Sequence, residues 1–476
     1  MSNDTPDSSS VGSLSSPTRA PLGTAYTPDV AAPAPESHDD AFNESWGRAR
    51  LVGFRFLVAY VLLYALPFPL DELPYLNRAG AWIHACWMAI VPWTATHVIH
   101  LSHPLNLQPS GSGDKLFDWI QVGCTLALSI VAAGVWSAID RKGRAYPRLA
   151  AGLWVYMRLY LAVVLYGYAF DKIFPNQFSH LDPVKLTHYI GESSPGGYAW
   201  LFLGLSVPYE IFAGCCEALA ATLLLFRRTT TLGALVGVGV MTNVFMLNMS
   251  FDIPVKQFSF HLLVFLAVLA AADARRVANL FLFNRHTGPA RVRPVFTSRA
   301  WARGATIVAA LFMAWVVYGD VRGEWQGYHQ FGIGRPLPRL AGIFEVDEVE
   351  KNGVVSPGLI TDSTRWRRFA FNGFGAAVRL ASDGLASFGV QVDSARHKLI
   401  LRRAAPDDII GTPAMRNWKP MPQVFAYEMP DTDHLVIHGR IGADSVDMHL
   451  HRRPESSYLL VSHGMFHLVN EVPFFR

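Results

Sequence analysis

An ionisable side chain inside a long apolar run costs several kcal/mol unless it faces protein or water and finds a partner, so such positions are where this sequence could do chemistry. Arg158 and Glu217 lead them. Arg158 lies ten residues after Arg148, and Glu217 lies ten residues before Arg227. At about 1.5 Å per residue both would sit about 15 Å from the basic ends of their helices, level with each other on sequential antiparallel spans, and could neutralise one another. Glu210 shares a helix face with Glu217, and Gly214 between them permits close helix approach. Lys172, two heptads after Arg158, faces the same way. One reading is that these charges pin helix register and hold no ligand. The other is a polar cavity opening outward, with Lys172, Glu210, Asn243, Asn248, Asp252, Lys256 and His261 around its mouth. Apolar walls with convergent polar groups suit a quinone headgroup or another amphipathic molecule arriving from lipid.

Three further motifs carry less chemistry. Cys215 and Cys216 precede Glu217, but adjacent helical residues point about 100° apart, so a disulfide would need broken helix geometry, and a buried cysteine usually acts as a small hydrophobe. His97, His100 and His103 recur every third residue, yet no carboxylate or cysteine nearby completes a metal set and Pro104 ends the helix, so no metal site is expected. Ser110 to Asp114 is a Gly/Ser turn with no preceding strand, hence a loop rather than a phosphate cradle. No Cys-x-x-Cys-His haem motif, dinucleotide fingerprint or iron-sulfur cysteine set occurs, so electrons would have to come from a bound quinone or a partner.

The elements that would position these residues are membrane spans. With 51% hydrophobic and 16% charged residues among 476, the composition is unusual for a soluble protein. The apolar residues cluster between Leu51 and Tyr318 in runs near the roughly 20 residues that cross a bilayer. A net charge of +4 with no basic-aromatic cluster argues against nucleic acid as a partner. Seven spans are expected at about 51–70, 116–138, 149–171, 198–226, 231–250, 258–273 and 303–318. Basic residues at 140–144, at Arg227 and Arg228 and from Arg275 to Arg303, including Arg291 and Arg293, mark cytoplasmic loops of a multi-pass inner-membrane protein. Arg48 and Arg50 place the N-terminus on the same side, so seven spans put the C-terminal part in the periplasm or outside the cell. The stretch Gly80 to His100, with Trp82, Trp87, Trp93, Pro92 and four histidines nearby, is expected to lie in the outer interface without crossing. Residues 1–45, rich in Ser, Pro, Ala and Asp, read as a disordered cytoplasmic tail ahead of a helical domain spanning 46–322.

From Leu340 short alternating stretches recur with turn residues every ten or so positions, among them 343–349, 398–401, 434–437, 445–451 and Tyr458 to Val461. Eight to ten strands over 338–476 predict an all-β antiparallel domain closed into a small barrel. Its opening Gly342-Ile343-Phe344 resembles that of lipocalin-like barrels, in which an aromatic two residues after a glycine plugs the closed end.

The stretch Met157 to Phe174 resembles the DoxX family of small membrane proteins, in which an Arg early in a helix is followed by a glycine and then a lysine at its outer end. Glu210 to Arg228 resembles that family's next helix, where a glutamate precedes a leucine-rich run ending at a basic turn. The resemblance spans about 149–273 and marks Arg158, Gly167, Lys172 and Glu217 as the family-like positions, while the first and seventh helices and the β domain depart from the compact pattern. It implies a link to membrane redox processes, as a quinone- or thiol-linked oxidoreductase subunit with a quinone as the cofactor candidate. The alternative is a non-catalytic scaffold or assembly factor whose exterior β domain binds a ligand or a protein partner.

Overall fold

A computed structural model describes residues 46–107, 113–141, 145–288, 295–405, 415 and 418–463. The N-terminal tail, Ser110 to Ser112, Lys142 to Arg144, Arg291 and Arg293 lie outside the described residues.

The helices are α1 (Arg48–Ala65), α2 (Asn77–His97), α3 (Leu116–Ile139), α4 (Pro147–Ile173), the single turn α5 (Pro183–Leu186), α6 (Pro195–Gly204), α7 (Val207–Leu225), α8 (Thr230–Ser250), α9 (Lys256–Ala271), α10 (Ala274–Phe281) and α11 (Arg299–Gln330). Five of them, α3, α4, α7, α8 and α11, are long and apolar enough to cross a membrane, and α9 with α10, bent by 77° between them, makes a sixth. That makes five or six against the seven expected; the first expected span is α1, which packs into the same core but is not among the helices that pass on length and hydropathy.

One expected span is two helices. The stretch 198–226 breaks at Leu205 and Ser206, because Pro208 has no N–H to give and its ring would strike the carbonyl four residues back, at Gly204, where α6 ends. Gly204 is itself required: a Cβ there would lie 2.4 Å from the Ser179 carbonyl oxygen, so the loop after α4 packs directly on the end of α6. The last helix runs to Gln330, twelve residues beyond its expected end.

α4 is the axis of the bundle, with Met157, Leu161, Ala162, Leu165 and Ala169 fully enclosed by neighbouring helices. Small residues set the close contacts. A Cβ on Gly214 of α7 would lie 2.6 Å from the Ala169 carbonyl oxygen and 2.9 Å from Lys172 Cβ, and one on Gly237 of α8 would lie 2.8 Å from a Leu266 methyl. Helix α2 continues through Pro92 and packs on α3, through Trp87, Val91 and Ala95 against Phe117 and Ile120.

The C-terminal domain is a closed antiparallel barrel. Strands β1 (Gly342–Lys351), β2 (Val354–Val355), β3 (Trp366–Phe371), β4 (Gly375–Leu380), β5 (Leu385–Asp393), β6 (Lys398–Arg403), β7 (Gln423–Glu428), β8 (His434–Ile441) and β9 (Asp444–Arg453) pair in order, with β2 a two-residue return on β1. β1 also pairs with β9, which closes an eight-stranded barrel and leaves no open edge among the other strands. Phe344, Phe369, Phe371, Phe425, Leu399, Leu435 and Ile437 fill its interior. Phe344 is fully buried beneath the Arg452 guanidinium, 4.6 Å from the ring centroid, and Arg452 in turn donates to the carbonyls of Ala341 and Arg339. Tyr458 to Val461, expected as a strand, forms a helical turn, α12 (Leu459–Ser462). Leu459 and Leu460 are exposed, and alternation over four residues is too short to mark a strand in a segment that follows the closing one.

The outer face of β1, β3 and β4 is covered rather than wet. Ile343, Ala370 and Ala377 form a cross-strand row, all buried, with α5 packed over these strands. The barrel therefore seats on the end of the bundle where α4 finishes.

Candidate functional site

Lys172 and Glu217 form a buried ion pair, with Nζ 2.9 and 2.7 Å from the two carboxylate oxygens. Helix direction explains the meeting. Side chains tilt toward their helix N-terminus, so Lys172, near the end of α4, reaches back into the bundle while Glu217 on antiparallel α7 reaches the other way. Gly214, one turn from Glu217, removes the side chain that would hold the two backbones apart.

The expected Arg158–Glu217 pair does not form. Arg158 donates through Nε to the Leu224 carbonyl and through a terminal nitrogen to the Leu225 carbonyl, both at 2.7 Å. These carbonyls belong to the last turn of α7, where helix geometry leaves them without partners, so Arg158 is a C-terminal cap. The depths counted from Arg148 and Arg227 were equal, but α4 has 27 residues and α7 has 19, so the offset between them brings Arg158 level with the end of α7.

The ion pair borders a cavity of about 300 Å³ between α4, the α4–α7 connection, α7, α8 and α9. Phe178, Trp200, Leu203, Phe212, Val244 and Leu262 are among its apolar walls. Its polar groups are Lys172, Glu217, Asn243, Asn248, Ser259 and Gln177, with Cys216 and Tyr168 beside them. Asn248 is held by its donation to Ser259 Oγ at 3.0 Å. Tyr209, Phe212 and Asn243 line the cavity and are also exposed, so it opens sideways between α7 and α8.

Of the other residues expected around the mouth, none lines this cavity. Glu210 is fully buried below the loop after α4, accepting from the Phe178 N–H at 3.3 Å with its other oxygen 3.4 Å from His180 Nε2. Asp252, in the turn between α8 and α9, pairs with Lys256 at 2.7 Å, on the outside. His261 faces α1: its Nδ1 donates to the Gln257 carbonyl at 2.7 Å, which leaves Nε2 to accept from the Tyr60 hydroxyl at 2.6 Å, while its ring stacks on Tyr64. Position along a helix or loop says how far along the bundle a residue lies and does not say which neighbour it will face.

All four cysteines are free, with Cys215 exposed and Cys216 at the cavity wall. Among the described residues, no group of three or more His, Cys, Asp or Glu is arranged to hold a metal ion, and His97, His100 and His103 are exposed.

Of the buried arginines that sequence reasoning missed, Arg55 and Arg379 hold elements together. Arg55, in the middle of α1, donates to Ser137 Oγ at 2.9 Å, the Asp140 carbonyl at 3.0 Å and the Tyr146 hydroxyl at 2.8 Å, tying α1 to the ends of α3 and α4. Its position within an apolar run was a readable signal. Arg379 of β4, 1% exposed, bonds both oxygens of Glu192 and the Thr187 carbonyl and lies 4.1 Å over the Tyr189 ring. Its hydrogen bond holds the Glu192 carboxyl below the usual range. Nothing in strand alternation distinguishes it from a solvated arginine.

No family model and no solved structure matches this chain. Over 145 residues it is 32% identical to the uncharacterized protein YwoB of Bacillus subtilis (strain 168), an alignment covering 30% of this chain and 91% of that relative. The chain belongs to the YwoB family. YwoB is accounted for over nearly its whole length, while most of this chain lies outside the shared stretch.

Proposed function

We propose that this is a DoxX-like membrane protein whose cavity beside Lys172 and Glu217 binds the headgroup of a quinone, within a quinone-linked oxidoreductase assembly. The observation that carries the reading is the cavity itself: an apolar chamber open sideways on a membrane-spanning bundle, with a buried ammonium-carboxylate pair on its wall. A quinone carbonyl only accepts hydrogen bonds, and the Lys172 ammonium and the Asn243 amide are donors on the lining. Reduction to the quinol takes two electrons and two protons: a partner subunit supplies the electrons, and the Lys172–Glu217 pair passes both protons, one to each quinone oxygen, and recovers them from water. In this reading the basic loops between α3 and α4, α7 and α8, and α9 and α11 face the cytoplasm and the barrel faces the periplasm of an inner-membrane protein.

A scaffold or assembly role is the second reading. It is favoured by the barrel, whose interior is filled by aromatic and aliphatic side chains, so its outer surface is what it offers to a partner protein.

The test is recovery of the full-length protein from its native membrane with quantification of extracted quinone. Ala213→Trp narrows the cavity while keeping both charges of the ion pair, and about a tenfold or greater loss of bound quinone from a normally eluting protein is expected. A wild-type protein free of quinone, recovered with the same specific proteins as Ala213→Trp, would overturn the quinone reading in favour of the scaffold.

A further inference from the structure

A second chamber of about 350 Å³ lies between α1, α3, α4 and α9. It shares a wall with the first, since Tyr168, Val255 and Phe258 line both. Its chemistry is different. Asp118 is its one charged lining residue among the described residues, and aromatic rings of Tyr64, Tyr160 and Tyr168 stand around it.

One buried acceptor in this wall is unmet, and a half-buried carboxylate lies on the same wall. Gln257 is 8% exposed and its Oε1 has no hydrogen-bond partner. Asp118 accepts the Lys115 backbone N–H through Oδ2 at 3.0 Å, while Oδ1 takes no hydrogen bond among the described residues. Tyr160, 7% exposed, likewise forms no hydrogen bond there. The wall is held in place from behind, because the His261 ring stacks 4.1 Å from Tyr64 and is itself fixed at both nitrogens.

A carbonyl oxygen and a carboxylate can only accept, so the group that satisfies them must donate. A quinone carbonyl, itself an acceptor, would leave Gln257 Oε1 unmet and Asp118 unmatched, which separates this chamber from the first. A positive charge is favoured by Asp118 and by the faces of tyrosine rings, which attract cations. The Lys172 ammonium lies 5.4 Å from the Tyr168 ring, but its charge is matched by Glu217 and does not oppose a second cation. We infer that this chamber is a binding site for a small organic ammonium ion, with N–H groups turned to Gln257 Oε1 and Asp118 and its carbon skeleton between the tyrosines.

The full-length protein in nanodiscs of zwitterionic lipid, with empty nanodiscs as the blank, can be titrated with n-butylammonium and with n-butanol, its neutral analogue of similar size. Saturable binding of one n-butylammonium per chain is expected, with n-butanol at least about tenfold weaker. Asp118→Asn should weaken the ammonium ion by about tenfold. Gln257→Glu should tighten it by about tenfold, a gain that misfolding could not produce. Equal affinity for both compounds, unchanged affinity in both variants, or no saturable binding at all would each overturn the assignment and leave the chamber filled by water alone.

Discussion

The Lys172 ammonium and the Glu217 carboxylate are each tolerable inside apolar walls only because the other is there. Removing one leaves a buried charge unmatched, at a cost of about 3–5 kcal/mol, whereas removing both leaves a neutral pair. Lys172→Met and Glu217→Gln should therefore each lower the thermal stability and yield of the detergent-solubilised protein, with the double variant recovering a large part of the loss. Losses that simply add would show that the pair contributes nothing by meeting. Arg158→Met strips two carbonyls of their donor, at about 1–3 kcal/mol each. Its loss should add to that of the Glu217 variants, because the two share no contact, and it should appear in hydrogen exchange as faster opening of the last turn of α7. The sequence marked Arg158, Lys172 and Glu217 as the informative residues because charge in an apolar run is conspicuous whatever its partner. The partner itself was not legible, since it depends on the relative slide of two helices, and no count of residues along either one contains that.

At the scale of elements, packing in this bundle is governed by where side chains are missing. Helix α7 lies against α4 at Gly214, and even a methyl group there meets the Ala169 carbonyl and the stem of Lys172. Gly214→Val is expected to push α7 away from α4, lengthen the Lys172–Glu217 contact and enlarge the cavity, at about 1–3 kcal/mol or more of stability. Spin labels on the exposed faces of α4 and α7 would register the separation, and an unchanged distance with unchanged stability would contradict it. The apolar spans and the barrel were legible because each follows from a pattern sustained over many residues, as in β9, where Val446, Met448 and Leu450 are buried and the residues between them are not. Breaks were less so. Pro208 signalled the end of one helix and the start of another, but within a run as apolar as 198–226 hydropathy outweighed that single residue. The four-residue alternation at Tyr458 was too short to separate a strand from a turn.

Across the whole molecule, the connection between α4 and α7 does two things at once. Gln177, Phe178, Trp200 and Leu203 wall the ion-pair cavity, while Asp182, Thr187, Tyr189 and Glu192 are held by Asn372, Arg379 and Asp383 of the barrel. The bond to Arg379 holds the Glu192 carboxyl below its ordinary value of 4.5, so the stability it contributes is present above that pH and is lost as pH falls through the lower, folded-state value. Limited proteolysis should accordingly find this connection protected near neutrality and cut faster below about pH 4.5. Arg379→Met should be cut fast at every pH, and Glu192→Gln should flatten the dependence; equal cutting of all three would mean that the barrel does not hold the loop. The arrangement also bears on how the protein is made. Arg379 follows Glu192 by 187 residues, so at roughly 5–20 residues per second a ribosome spends roughly 10–40 s between them. By the end of that interval every helix through α11 has been synthesised while the loop over the cavity has had nothing to grip, so the cavity receives its finished wall only when the barrel has folded and closed upon it.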